Sequence, residues 1–115
     1  MNRVKKYWVY ILQCGNGSYY TGFTTDMHRR YSEHVAGSSK SKYTRSFGAK
    51  RLLQCWRVFD NRSHAMKLEA FIKGMRRKEK TIIINKPASL KHLFLDGKGI
   101  DVKMKSGSPF LLKKR

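Results

Sequence analysis

The stretch YWVYILQCGNGSYYTGFTTDMHRRYSEH, residues Tyr7 to His34, decides the fold. Tyr7 to Leu12 is a run of aromatic and β-branched residues with one leucine, which is typical of a strand. The connection Cys14 to Ser18 contains Asn16-Gly17, a pair that readily adopts the positive φ angles of a hairpin turn. Because Tyr19 to Phe23 again has strand composition, we predict a β-hairpin.

A helix is predicted directly after the hairpin. We expect Thr25 to be its N-cap, Asp26 to place a negative charge in its first turn, and the helix to end near Gly37. Arg30 and His34 are four residues apart and therefore lie on one helical face. This helix directs a cation and an imidazole towards the hairpin.

Residues 37–50 lack periodicity and are rich in Ser, Gly and Lys, so we predict a mobile loop. A solvated linker explains such a composition, but the concentration of positive charge favours contact with phosphates, with Tyr43 and Phe47 available for stacking. The predicted phosphate contacts in this segment are Lys40, Lys42, Arg45 and Lys50.

A third strand, Arg51–Phe59, is largely apolar, which suits the centre of a small sheet. We expect Ser63 to cap a second helix, whose core-facing stripe consists of Ala65, Leu68, Ile72 and Met75. At about 100° per residue, Glu69 falls on the border of that stripe. A carboxylate is unusual in such a place.

The remaining chain has weaker signals. Gly74 to Asn85 combines basic residues with three isoleucines, and we interpret it as a third helix that ends near Asn85, ahead of Pro87. Leu90 to Leu95 is expected to add a short helical turn, and the chain from Gly97 onward to be poorly ordered or loosely docked. We thus expect a domain over residues 5–85 and a basic extension over 86–115.

Composition limits the function. A chain of 115 residues is a single domain, and its 26 Lys and Arg against seven Asp and Glu give a net charge of +19. Such self-repulsion suits a polyanionic partner, with nucleic acid favoured over an anionic membrane surface because no lipidation signal or long basic amphipathic helix is present. Cys14 and Cys55 form no CxxC pair, so we expect buried reduced thiols and no zinc site.

We expect a cytoplasmic protein with no membrane span.

The same residues suit phosphodiester cleavage, which requires an activated water and a stabilised anionic transition state. Tyr10 or Tyr20 could be the general base if nearby cations or a metal lower a phenol pKa, and Arg30 can bind a phosphate through two parallel hydrogen bonds. Glu69 can anchor a hard divalent cation, and His34 can relay a proton. Each has a structural alternative: core aromatics, a surface cation, an ion pair of Glu69 with Lys73.

Taken together, these residues resemble the GIY-YIG endonuclease superfamily. Val9-Tyr10-Ile11 stands where the family has GIY and Tyr20-Thr21-Gly22 where it has YIG; Arg30 and Glu69 follow in the family's order. The segment around Tyr20 to His34 is especially similar to the short bacterial YhbQ-like members. The resemblance covers roughly residues 7–80.

The resemblance implies an α/β (α+β) domain with a small three-stranded mixed or antiparallel sheet flanked by helices. It implies one Mg²⁺ or Mn²⁺ held by Glu69, water activation by Tyr10 and Tyr20, and phosphate stabilisation by Arg30, with His34 also in the site. We count Gly22 and Arg29 among the nucleic-acid contacts.

The function that we predict is a metal-dependent, structure-selective DNA endonuclease linked to repair or recombination. DNA is favoured over RNA as the substrate, and a protein partner is a candidate source of specificity. The alternative is a module of the same fold that binds nucleic acid without cutting it. A weaker third reading is a basic structural protein on ribosomal RNA.

Overall fold

Four antiparallel strands and four helices make up the described part of the chain, residues 6–36 and 48–107 of a computed structural model. In chain order the elements are β1 (Tyr7–Cys14), β2 (Tyr19–Thr24), α1 (Met27–Ala36), β3 (Ala49–Val58), α2 (Arg62–Lys73), α3 (Arg77–Asn85), α4 (Ser89–Lys98) and β4 (Met104–Ser106). The strands lie in the order β2-β1-β3-β4, so β1 and β3 form the central pair. The predicted α+β class with an antiparallel sheet is confirmed.

The hairpin of β1 and β2 forms as the sequence predicts. Gly17 has a φ of +87°, and its N–H donates to the Cys14 carbonyl over 2.8 Å. The side chain of Asn16 accepts a hydrogen bond from the Ser18 N–H. This tight connection sets a register in which Tyr10 lies opposite Gly22.

The two faces of the sheet have separate cores because side chains alternate along a strand. Val9 and Ile11 point to one face, where α2, α3 and α4 contribute Leu68, Ile83 and Phe94 to a continuous apolar cluster. The opposite face, which we call the site face, carries Tyr10, Leu12, Leu52 and Cys55 and is covered by Met27 of α1. The site face holds most of the residues to which the sequence assigned chemistry.

The helix caps differ from the sequence predictions. Asp26 caps α1 by accepting the Arg29 N–H over 3.1 Å, and Asn61 caps α2 by accepting the His64 N–H over 2.8 Å. The predicted caps, Thr25 and Ser63, are wrong. In both helices a short acidic or amide side chain nearby, equally suited to capping, takes the position.

The segment after Pro87 is more ordered than we expected. Helix α4 is ten residues long, and Val102 is completely buried in the core. Strand β4 then pairs with β3, with Met104 opposite Val58, so the sheet has four strands instead of three. The prediction of a loosely docked tail is therefore wrong for residues 97–107. Apolar residues alternate there with polar ones, the pattern of an edge strand, but Gly and Lys dominate the composition.

Three further expectations concern the described residues. Helix α3 ends at Asn85 as predicted, and both cysteines are buried free thiols, with burial raising the pKa of Cys55 to about 12. In the described ranges, every helix is too short or too polar to span a bilayer. The division of the chain at residue 85 remains a prediction.

Candidate active site

A buried hydrogen bond joins the hairpin to helix α1. Tyr10 lies in β1 on the site face, and His34 lies in the last turn of α1; both are only 1% exposed. The Tyr10 hydroxyl oxygen is 2.8 Å from His34 Nε2. Two residues that are 24 positions apart in the chain thus form one polar unit inside an otherwise apolar cluster.

Burial determines the protonation of this pair. It raises the pKa of Tyr10 above its usual value near 10, with a further contribution from Tyr20, and the positive charge of Arg30 opposes the shift only in part. Burial and then Arg30 lower the pKa of His34 to about 4. Both side chains are therefore neutral near pH 7. The positive charge of Arg30 does not by itself lower the phenol pKa of Tyr10, because desolvation outweighs it. A lowering of a phenol pKa by a metal stays a prediction.

Tyr20 completes a group of three rings. Its centroid lies 6.5 Å from that of Tyr10 and 5.4 Å from that of His34, with the His34 ring approaching edge-on. Tyr20 is partly exposed, whereas the other two rings are buried. It therefore stands at the boundary between the buried pair and the solvent.

Gly22 makes the space that Tyr10 occupies. A Cβ atom on Gly22 would lie 2.8 Å from Tyr10 Cε2 and closer still to the phenol carbon and oxygen beyond it. In the structure Gly22 is buried, and the Tyr10 phenol fills the space beside it. Its contact with nucleic acid stays a prediction. Tyr10 of the first motif can occupy its position only because Gly22 of the second motif has no side chain.

Arg30 lies within electrostatic range of both members of the pair, since its charge shifts the pKa of each. Its Nη1 is 3.5 Å from Glu33 Oε1, and its side chain is 30% exposed. Its Nε is buried and has no hydrogen-bond partner within residues 6–36 and 48–107. Neighbouring Arg29 is 60% exposed and pairs with Asp26 and Glu33, so the two arginines occupy different environments.

Glu69 lies at the border of the buried stripe of α2, as the helical spacing predicts, and is 18% exposed. Its carboxylate is 3.3 Å from the Lys73 ammonium group, so the structural alternative of an ion pair is present. Its negative charge also contributes to the raised pKa of Tyr10. Glu69 therefore has an electrostatic connection to the site face although α2 packs on the other face.

The side chains near the site can be compared with the ligands that different metal ions prefer in proteins. In residues 6–36 and 48–107, no group of three or more His, Cys, Asp or Glu side chains is arranged to hold an ion. Mg²⁺ does not need such a group, since it commonly takes one or two carboxylates, keeps several waters and uses substrate phosphates. The partly exposed Glu69 fits an ion of this kind.

The remaining predicted contacts divide into two groups. Lys50 is exposed on β3. Lys40, Lys42 and Arg45, with the predicted mobile loop, lie outside the described residues. Sequence reasoning missed Glu33, which pairs with both Arg29 and Arg30; its positions three and four residues after them on one helix were the available signal.

Known proteins resemble this chain along most of its length. A UPF0213 protein of Halalkalibacterium halodurans is 40% identical over 79 residues, which cover 69% of this chain and 82% of the relative. A UPF0213 protein of Halobacterium salinarum is 44% identical over 72 residues, covering 63% of this chain and 91% of the relative. A UPF0213 protein of Fusobacterium nucleatum is 42% identical over 85 residues, covering 72% and 81%.

One solved structure and one family profile also match this chain. The solution NMR structure of a UPF0213 protein from Bacillus halodurans is 40% identical in sequence, covers 70% of this chain and 83% of its own, and superposes with a TM-score of 0.45. The profile of the GIY-YIG catalytic domain matches residues 6–82, which include the hairpin, α1 and Glu69. The chain therefore belongs to the GIY-YIG family.

Proposed function

We propose that this protein is a metal-dependent endonuclease that hydrolyses DNA phosphodiester bonds and selects its substrate by structure. The GIY-YIG family is a nuclease superfamily, and its nucleases generally use divalent metal ions. The observation that carries the proposal is the buried 2.8 Å hydrogen bond between Tyr10 and His34, close enough to Arg30 for its charge to act on both. A buried polar pair beside a cation suits acid–base chemistry on an anionic substrate.

Water activation is assigned to the pair and not to an ionised phenol. Since the pKa of Tyr10 is raised, its hydroxyl keeps its proton near pH 7. We assign to the neutral His34 the tautomer protonated at Nδ1, in which Nε2 accepts the hydrogen bond from the Tyr10 hydroxyl. The phenol oxygen would accept a proton from the attacking water while its own proton passes to His34 Nε2. A bound phosphate would favour this step, because its negative charge offsets the Arg30 charge that helps to lower the pKa of His34. Tyr20, at the solvent boundary, would orient that water.

Charge stabilisation is assigned to Arg30 and Glu69. Among the described residues, Arg30 Nε is buried without a hydrogen-bond partner and Nη1 lies a long 3.5 Å from Glu33 Oε1, so the guanidinium has donors available for a phosphate. Glu69 would hold the divalent ion, which supplies positive charge to the phosphate and the leaving oxygen when bound. Exchange of the Lys73 contact for the ion is part of this assignment.

The substrate assignment rests on charge and on family. A net charge of +19 supplies sequence-independent affinity for the phosphate backbone, which favours recognition of shape, such as a branch, flap or nick, over recognition of bases. We assign the protein to DNA repair or recombination in the cytoplasm, with a protein partner adding specificity to a small catalytic domain.

The alternative function is a binding module that does not cut. The ion pair of Glu69 with Lys73 favours it, because that pair already neutralises a carboxylate that would otherwise repel phosphate. The retained Tyr10–His34 pair favours the enzyme, since binding alone gains nothing from a buried proton relay.

The experiment is cleavage of a labelled substrate panel: single strand, duplex, flap, fork, four-way junction and RNA hairpin. Each is incubated with Mg²⁺, Mn²⁺ or EDTA, using wild type and Arg30→Ala. We expect metal-dependent cutting of a branched or nicked DNA by wild type and its loss in the variant. Binding of the panel without cutting in any metal would overturn the enzyme assignment for the isolated chain, and cutting of RNA alone would overturn the choice of DNA.

A further inference from the structure

A row of side chains crosses the site face next to the row that contains Tyr10. Trp8 lies opposite Arg57 of β3, and Arg57 lies opposite Lys105 of the edge strand β4. Trp8 precedes Tyr10 by two residues, so both project from the same face of β1. A cationic side chain thus stands on β3 and another on β4 beside the candidate active site.

Arg57 is held by aromatic rings and not by carboxylates. Its guanidinium carbon is 5.4 Å from the centroid of Trp8 and 4.9 Å from that of Phe59. Its Nε is buried without a hydrogen-bond partner, and within residues 6–36 and 48–107 no ion pair involves it. By contrast, the Nε of Arg51 on the same strand donates to Gln13 over 3.0 Å.

This arrangement costs stability unless something else binds the guanidinium. A buried N–H without a partner is unfavourable, and two rings that hold the charge in place reduce the entropy lost when an anion binds. Arginine presents a planar fork that matches phosphate oxygens, and the two neighbouring rings limit its orientations. The chemistry that satisfies Arg57 is therefore that of a phosphate group.

The position of Arg57 relative to Tyr10 indicates which phosphate of a nucleic-acid strand Arg57 would bind. Tyr10 is opposite Cys55, and Arg57 is two residues from Cys55, so Tyr10 and Arg57 are diagonal neighbours. Such neighbours are separated by about 7–8 Å, a distance comparable to that between successive phosphates of one nucleic-acid strand. A strand with one phosphate at Tyr10 and Arg30 would bring the next to this row.

We propose that Arg57, clamped between Trp8 and Phe59 and assisted by Lys105, binds the phosphodiester adjacent to the one that is cut. The placement of the substrate strand rests on the proposed function. The binding of a phosphate by Arg57 does not require that the strand be cut. The site fixes the register of the substrate strand across the sheet and is separate from the residues that act on the scissile bond.

The tryptophans provide a direct reporter. Trp8 is partly exposed under the Arg57 guanidinium, whereas Trp56 is completely buried on the other face and donates its indole N–H to the Pro87 carbonyl over 2.9 Å. A short oligothymidylate is titrated into the protein in EDTA, so that no cutting occurs, and tryptophan emission is followed at several salt concentrations. We expect a saturable change in emission that Trp8→Phe abolishes.

The decisive comparison is Arg57→Gln against Arg51→Gln, an equal loss of charge on the same strand but on the opposite face. We expect Arg57→Gln to weaken binding about tenfold at low salt, since a charge-assisted hydrogen bond to a buried donor is lost. The slope of log affinity against log salt should also fall by about 0.7, the value of one phosphate contact on a single strand. Arg51→Gln should change affinity less than threefold.

Equal effects of the two arginine variants would overturn the proposal, because Arg57 would then contribute only to overall charge. If Arg57→Gln fails to fold, Lys105→Gln on the exposed edge strand is measured instead, and affinity equal to wild type overturns it. A protein that binds through Arg57 but cuts nothing in the substrate panel contradicts the proposed function and leaves this site standing. A protein that cuts normally with Arg57→Gln and binds normally contradicts this site alone.

Discussion

Gly22 and Tyr10 face each other across the β1–β2 pair, and the phenol of Tyr10 fills the volume in which any larger residue at position 22 would place its Cβ. Replacement Gly22→Ala should therefore displace the phenol and lengthen its hydrogen bond to His34. Overpacking of this kind costs about 1–3 kcal/mol of unfolding free energy, measured by chemical denaturation. The rate of cleavage should fall by more than the loss of folded protein explains.

The matched control for that substitution is Gly74→Ala at the end of α2. Gly74 has a φ of −77°, and the nearest atom to its added Cβ is a carbonyl oxygen at an ordinary 3.6 Å. Stability and cleavage should remain within error of wild type. Equal effects at the two glycines would contradict the steric account of Gly22.

Tyr10→Phe removes only the hydroxyl group that bonds to His34. It should leave the fold intact, reduce the unfolding free energy by about 1–2 kcal/mol through the unpaired imidazole nitrogen, and reduce kcat by about 10²–10⁴-fold as a general base is lost. Single-turnover cleavage separates these effects from binding. Tyr19→Phe is the control, because its hydroxyl bonds to Thr81 away from the site, and full activity is expected.

The lowered pKa of His34 makes stability depend on pH. Between pH 6.5 and about 4 the unfolded chain binds a proton at this position that the folded protein does not, so the unfolding free energy should fall as pH falls. From pH 7 to pH 5, His34 alone contributes a loss of about 2 kcal/mol. The measurement is urea denaturation of wild type and His34→Gln at both pH values.

The variant should show a smaller loss than wild type over that interval, whereas His92→Gln on the exposed surface of α4 should match wild type. Identical pH dependence in His34→Gln and wild type would show that the imidazole is not desolvated in the folded protein.

Arg30→Lys keeps the positive charge but removes the planar pair of donors. We expect a drop of at least about 100-fold in the rate of the chemical step with little change in binding, because a lysine cannot reproduce bidentate contact with a phosphate. Arg29→Lys, at an exposed position one residue earlier, should cleave within about twofold of wild type. Loss of activity in both variants would indicate a requirement of helix α1 as a whole.

The sequence contains enough to predict the hairpin, helix α1 and the apolar stripe of α2, since each depends on local periodicity and turn chemistry. Asn16-Gly17 sets the hairpin, and Ala65, Leu68 and Ile72 repeat at helical spacing and are all buried. Strand β4 was missed because three residues at a sheet edge take their structure from pairing with β3 and not from their own propensity.

The candidate site was predictable as a set of residues but not as an arrangement. Order along the chain pointed to Tyr10, Arg30 and Glu69, yet the raised pKa of Tyr10 depends on a burial that only the packed structure reveals. The contact between Trp8 and Arg57 could not be predicted either, since the two residues are 49 positions apart in the sequence and are brought together by the register of β1 and β3.

The most direct test of metal-dependent hydrolysis is the substitution Glu69→Gln, compared with Asp96→Asn at an exposed position on α4. Cleavage of the preferred DNA is measured as a function of Mg²⁺ concentration, and affinity for the same DNA is measured in EDTA. The account predicts that Glu69→Gln loses cleavage at every Mg²⁺ concentration and binds DNA as tightly as wild type or more tightly, while Asp96→Asn cuts normally. Cleavage by Glu69→Gln with an unchanged dependence on Mg²⁺ would contradict it.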